Sequence, residues 1–267
     1  MRTRAWKTTL SLAALALAAL PGGVAAQGLT GRVADIQEGR VRVTFPTRDG
    51  VEICHQGIRM DGHRMLWQSR RGGDAATGCR PGPARVELRI RGGRVRDVEV
   101  LTRRDSGSPG GQDLGEVGAR EAVEFFLQLA RTASTGGAGD EAVFPVILAR
   151  VDEVWRDLLE LARDRTAPED ARESALFWVG QEAAEAVSSE LADVAVEEEG
   201  QEVRDAAVFA LSRRPDDESL PYLMDLAQTA PHPETRRSAL FWLAQSRDER
   251  VPAFFEEILL GGGGGGS

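Results

Sequence analysis

Arg172-Glu-Ser-Ala-Leu-Phe-Trp-Val-Gly-Gln181 reads like Arg204-Asp-Ala-Ala-Val-Phe-Ala-Leu-Ser-Arg213, and again like Arg236-Arg-Ser-Ala-Leu-Phe-Trp-Leu-Ala-Gln245. Arg172, Arg204 and Arg236 stand 32 residues apart. Ala175, Ala207 and Ala239 keep that step, as do Phe177, Phe209 and Phe241. A fixed period of about 20–50 residues marks a solenoid of stacked units. Residues 168–260 therefore decide the architecture, and they say little about chemistry.

Each unit reads as two helices. Ala171, Ala175, Trp178 and Val179 fall at i, i+4, i+7 and i+8, one apolar face at helical period. Val203, Ala207, Ala210 and Leu211 repeat that face, and so do Thr235, Ala239, Trp242 and Leu243. Second helices carry their own columns, Leu191/Leu223/Phe255 and Val194/Leu226/Ile258. Stepping back by 32 lands on Leu159 and Ala162, so a looser copy is predicted with helices over 140–150 and 154–163. Pro168, Pro215, Pro231 and Pro233 fall between helices, where a missing N–H does no harm. Pro221 and Pro252 are placed in first turns. A single helix pair cannot bury its face alone, so the units must stack.

The pattern resembles the HEAT-repeat family. The resemblance rests on the recurring Arg, the small residue three positions on and the Leu or Val after it, over about 120 residues. It implies an α-superhelix of antiparallel helix pairs that serves as a protein-binding scaffold without catalytic residues. Asp152, Asp216 and Asp248 also fit, although Ala184 breaks that column. In such arrays the Arg and the Asp commonly form a structural ladder. Second helices usually line the concave face in this family. The mid-helix column Asp193, Asp225 and Glu257 is therefore a candidate partner-binding ridge, and a solvated face is the plainer account of it. Glu153, Glu185, Asp217 and Glu249 need no partner, because acids in a first helical turn are favoured by the helix dipole. The Phe column is read as packing between repeats, with an exposed docking ridge as the alternative.

Residues 1–26 have the form of an export signal. Arg2, Arg4 and Lys7 precede an apolar run over 10–20, and Val24-Ala25-Ala26 offers small residues for cleavage. The run is too short to span a bilayer, so no stable membrane anchor is expected after cleavage. The mature chain is expected in the periplasm or secreted. Residues 27–104 are predicted to form a small β-domain of four to six strands. Val41, Val43 and Phe45 alternate with polar residues, as do Val86, Leu88 and Ile90, and Gly92-Gly93 joins the latter run to the next as a hairpin. Glu38-Gly39 and Asp49-Gly50 are further turn candidates, and the odd spacing from Val95 to Val98 suggests a bulge near Asp97.

Cys54 and Cys79 are the only cysteines, and in an exported chain the simplest reading is a disulfide. The sharper alternative, zinc held by both cysteines with His55 and His63, needs neighbours 54 and 55 to ligate one ion, although they point to opposite strand faces. Residues 105–118 are Ser/Gly/Asp-rich and read as a flexible linker, followed by the solenoid over 119–260. Its first helix, 119–131, is expected to cap the open end of the array. A Gly-rich tail occupies 261–267.

Charge divides the chain. Residues 27–104 hold 16 Arg against 9 acids, while 105–267 hold 14 Arg against 33 acids. An acidic array argues against nucleic acid as partner. Nucleophile-elbow, zinc-helix, phosphate-loop and dinucleotide motifs are missing from the sequence. The expectation is thus a non-enzymatic scaffold for a protein or peptide, with no cofactor or metal. Two alternatives remain: a self-closed form in which the basic β-domain docks on the acidic array until displaced, and a lyase-type enzyme of the kind some HEAT-like repeats resemble.

Overall fold

The computed structural model describes residues 28–60, 65–68, 77–105, 111–133, 137–182, 184 and 186–261. The predicted signal, His63, Glu185 and residues 262–267 lie outside the described residues.

A short helix α1 (Leu29–Ala34) opens the described chain. Eight strands follow: β1 (Glu38–Phe45), β2 (Val51–Ile53), β3 (Gly57–Met60), β4 (Met65–Gln68), β5 (Arg80–Pro81), β6 (Ala84–Arg91), β7 (Arg94–Val100) and β8 (Gln112–Glu116). They form two four-stranded sheets, ordered β7-β6-β1-β8 and β4-β3-β2-β5. Seven of the strands fall within residues 27–104, one more than the four to six expected there, because β5 spans only two residues.

The β6–β7 hairpin turns at Gly92 and Gly93, with φ of 59° and 68°, the paired left-handed geometry that favours glycine. Arg89 faces Asp97 while Ile90 faces Val95, which leaves Arg96 as the extra, bulged residue beside the expected position. Asp49-Gly50 forms a turn, whereas Glu38-Gly39 lies inside β1.

The expected linker contains β8, which pairs in parallel with β1. Its backbone explains the difference. The ladder satisfies N–H and C=O groups without needing buried side chains, and only Leu114 of β8 is partly covered. Arg32 of α1 also donates to the Leu114 carbonyl.

Nine helices complete the described chain: α2 (Ala119–Thr132), α3 (Ala138–Leu148), α4 (Val154–Arg163), α5 (Glu169–Val179), α6 (Val187–Glu197), α7 (Gln201–Ser212), α8 (Asp216–Thr229), α9 (Pro233–Gln245) and α10 (Arg250–Gly261). They stack as a solenoid in two layers. In the first layer α5 packs on α3 and α7, and α7 packs on α9; in the second, α4 meets α2 and α8 meets α6. Gly180 marks how tightly first helices stack, since a Cβ there would stand 2.9 Å from the Ala210 Cβ and carbonyl oxygen. Pro221 lies inside α8 rather than in its first turn, because that helix already begins at Asp216.

Helix α2 does not cap the array. It is the first member of the second layer, and the cap on α3 is the sheet, through β6 and β7. Alternation along β1 and β6 buries Val41, Val43, Phe45, Val86, Leu88 and Ile90 on one face. Phe45 meets Phe126 of α2 with ring centroids 5.9 Å apart. Sheets and helices thus share one continuous apolar core.

Backbone bonds stitch the junction: the Arg48 N–H donates to the Leu148 carbonyl at 2.9 Å, and the Arg150 N–H to the Pro46 carbonyl at 3.0 Å. An ion pair of Arg48 with Glu182 at 2.7 Å also crosses it. The self-closed alternative is not the arrangement found. The sheet is joined to the end of the array by apolar burial, which salt does not screen, and it leaves the outer faces of α6 and α8 exposed.

Candidate functional site

The second helices carry the candidate ridge. Helix α6 buries Val187, Leu191, Val194 and Ala195, a stripe at helical spacing that turns Asp193 outward. Helix α8 buries Leu220, Leu223, Leu226 and Ala227, and Asp225 is exposed. Glu257 is exposed on α10, where Val251 and Phe254 are buried. Among the described residues none of these three carboxylates has an ion pair or side-chain hydrogen bond.

Each acid has an exposed apolar neighbour one turn away. Val196 (37% exposed) follows Asp193 by three residues, Tyr222 (36%) precedes Asp225 by three, and Leu260 (81%) follows Glu257 by three. Sequence reading missed these partners. They break no period and stand out only once burial is known. The ridge can accept cationic hydrogen-bond donors and cover apolar side chains beside them.

The Arg column has a different task. Arg172 Nε donates to the Ala162 carbonyl at 2.8 Å, at the end of α4. Arg204 Nη1 donates to the Glu198 and Glu199 carbonyls after α6, and Arg236 Nη1 to the Ala230 carbonyl after α8. Each guanidinium thus caps the preceding second helix, whose last carbonyls lack partners and carry the negative end of its dipole. The expected Arg–Asp ladder does not form among the described residues. Asp248 pairs with Arg250 instead, which holds its carboxyl down at about 2.

Only Arg172 also pairs with an acid, the buried Glu198. Burial alone would raise the Glu198 pKa. The Gly200 and Glu199 N–H groups and the Arg172 guanidinium outweigh that and hold the carboxyl below its ordinary value. Glu173 moves the other way, raised by burial and by the nearby Glu169, Glu202 and Asp170.

Phe144 stacks on Trp178 at 5.2 Å and Phe209 packs on Trp242 at 5.1 Å, so these rings join successive repeats. Cys54 and Cys79 form a disulfide across 25 residues and are therefore not thiolate ligands for zinc. No group of three or more His, Cys, Asp or Glu residues able to hold a metal occurs among the described residues. A hollow of about 480 Å3 lies between α1, α2 and the β6–β7 turn, lined by Val33, Phe125 and Leu129. No helix among the described residues is long and apolar enough to cross a membrane.

Antiparallel helix pairs at a 32-residue step, stacked in two layers with Arg-capped second helices, define an α-solenoid of helical hairpins. The family model for HEAT repeats matches residues 155–244 and 188–262, and over that span the chain is similar to HEAT repeats. Comparison with the curated proteins gives no match.

Proposed function

We propose that the chain is an exported, non-catalytic scaffold that binds a protein or peptide partner across its second helices. HEAT repeats as a class present extended surfaces to other proteins. The observation that carries the reading is the 32-step column Asp193, Asp225 and Glu257, unpaired and flanked by exposed apolar side chains. A partner with basic and apolar groups at matching spacing suits it. Export is supported by the charge and apolar pattern of residues 1–26 and by the disulfide.

The test is crosslinking with mass spectrometry on the native protein, repeated with the D193N/D225N/E257Q variant. Foreign peptides should map to α6, α8 and α10, and the variant should bind the isolated partner between about 3-fold and 100-fold more weakly at low salt. Foreign crosslinks confined to α5, α7 and α9, or unchanged affinity of the variant, would overturn the reading. Export is checked separately, by fractionation and by whether the mature chain starts at Gln27.

A further inference from the structure

In sequence the arginines of the N-terminal region are scattered, with no run longer than Arg70-Arg71 or Arg103-Arg104. Folding gathers three of them. Arg80 of β5, Arg85 of β6 and Arg103 beyond β7 border one hollow of about 260 Å3 where the two sheets meet, with Ile53, Leu101 and residues 81–83 completing the wall. All three arginines are exposed.

Several sheet arginines find acid: Arg40 and Arg42 flank Glu87, Arg59 pairs with Glu52, and Arg89 with Asp97. Arg80, Arg85 and Arg103 have no acid partner among the described residues. Three like charges around one small hollow repel, and no ion pair among the described residues offsets them.

The wall is also held in place. The disulfide joins Cys79, next to Arg80, to Cys54, next to Ile53, and the Arg103 N–H donates to the Cys54 carbonyl at 3.0 Å. The Leu101 N–H donates to the Arg85 carbonyl at 2.8 Å. The crosslink therefore fixes the positions from which these guanidinium groups extend.

We propose that this hollow is a binding site for a phosphate-type oxyanion. Guanidinium forks match the geometry of phosphate oxygens, and each adds charge-assisted hydrogen bonds. The hollow is smaller than the roughly 300–1,000 Å3 of pockets for drug-sized ligands, so it takes one such group rather than a large molecule. Free phosphate and the phosphate headgroup of an anionic lipid offer the same chemistry.

The full oxidised chain is titrated calorimetrically with inorganic phosphate at constant ionic strength, with chloride and acetate as controls. Saturable binding of one phosphate is expected, weakened about tenfold or more in R80A and in R103A. Arg91→Ala removes the same charge about 20 Å away along β6 and should change affinity less than twofold. In chloride alone the melting temperature of R80A should match or exceed that of the unsubstituted chain, because repulsion is relieved and no structural contact is lost.

Phosphate that binds no better than chloride would overturn the proposal. So would R91A weakening binding as much as R80A, which would reduce the effect to net charge. Flotation with phosphatidylcholine vesicles, with and without phosphatidic acid, then assigns the source. Phosphate-sensitive capture by the acidic vesicles marks a headgroup site, and phosphate binding without capture marks a site for the free anion.

Discussion

The two ends of the array each carry a first-layer phenylalanine and treat it oppositely. At the N-terminal end Phe144 is 7% exposed, stacked on Trp178, in a helix whose neighbours are the sheet on one side and α5 on the other. At the C-terminal end Phe241 is 55% exposed, and Leu259 and Leu260 reach 78% and 81%. Nothing intrinsic to these side chains differs. Phe144 has a next repeat to pack on, and Phe241 has none among the described residues. A helical repeat completes its core only through its neighbours, so an end needs a cap. Here a β-sheet caps one end, because its alternating strands offer a flat apolar face to α3.

If that contrast governs stability, matched substitutions at covered positions and at the open end should separate widely in urea unfolding. Arg172→Ala strips Glu198 of its cationic partner in a buried place and should cost about 3–5 kcal/mol. Arg236→Ala, half-buried at the open end, should cost only about 1 kcal/mol. Equal losses would break the comparison. Phe144→Ala is expected to cost about 3–5 kcal/mol and Phe241→Ala to stay within about 0.5 kcal/mol.

Replacing both cysteines with serine releases a 25-residue closure and should remove about 3 kcal/mol. Since sheet and helices share a core, the loss should also appear in the helical circular dichroism transition. A helical transition left in place would mean the cap folds apart from the array.

The smallest effect is one of pH. The folded pKa of Glu198 lies below its ordinary value of 4.5, so its contribution is present above pH 4.5. It is lost as pH falls through 4.5 and on through the folded pKa. Glu198→Gln should flatten that acid limb of stability against pH. An unchanged limb would place the acid sensitivity elsewhere.

The array was legible in the sequence because a repeat writes its period directly into residue spacing. The bounds of α4 fell on Val154–Arg163 as expected, and the Gly92-Gly93 hairpin followed from the alternation on either side of it. Strand β8 was not legible. Gln112-Asp113-Leu114-Gly115-Glu116 is held by backbone hydrogen bonds at a sheet edge, which leave little trace in side-chain pattern. The Arg column was visible as a column, but its partners were not. Periodicity gives a residue's place in the repeat, whereas the carbonyls it reaches belong to the end of another helix.

Sequence by itself determined the 32-residue repeat, the alternating sheet face, the pairing of two lone cysteines and the acid column on the second helices. Tertiary structure decided that the sheet closes the array, that the arginines cap helices, and that Arg80, Arg85 and Arg103 meet around one hollow. The physical reason is range. Period and alternation are local properties of a chain, while burial, capping and charge clustering depend on groups brought together from distant positions.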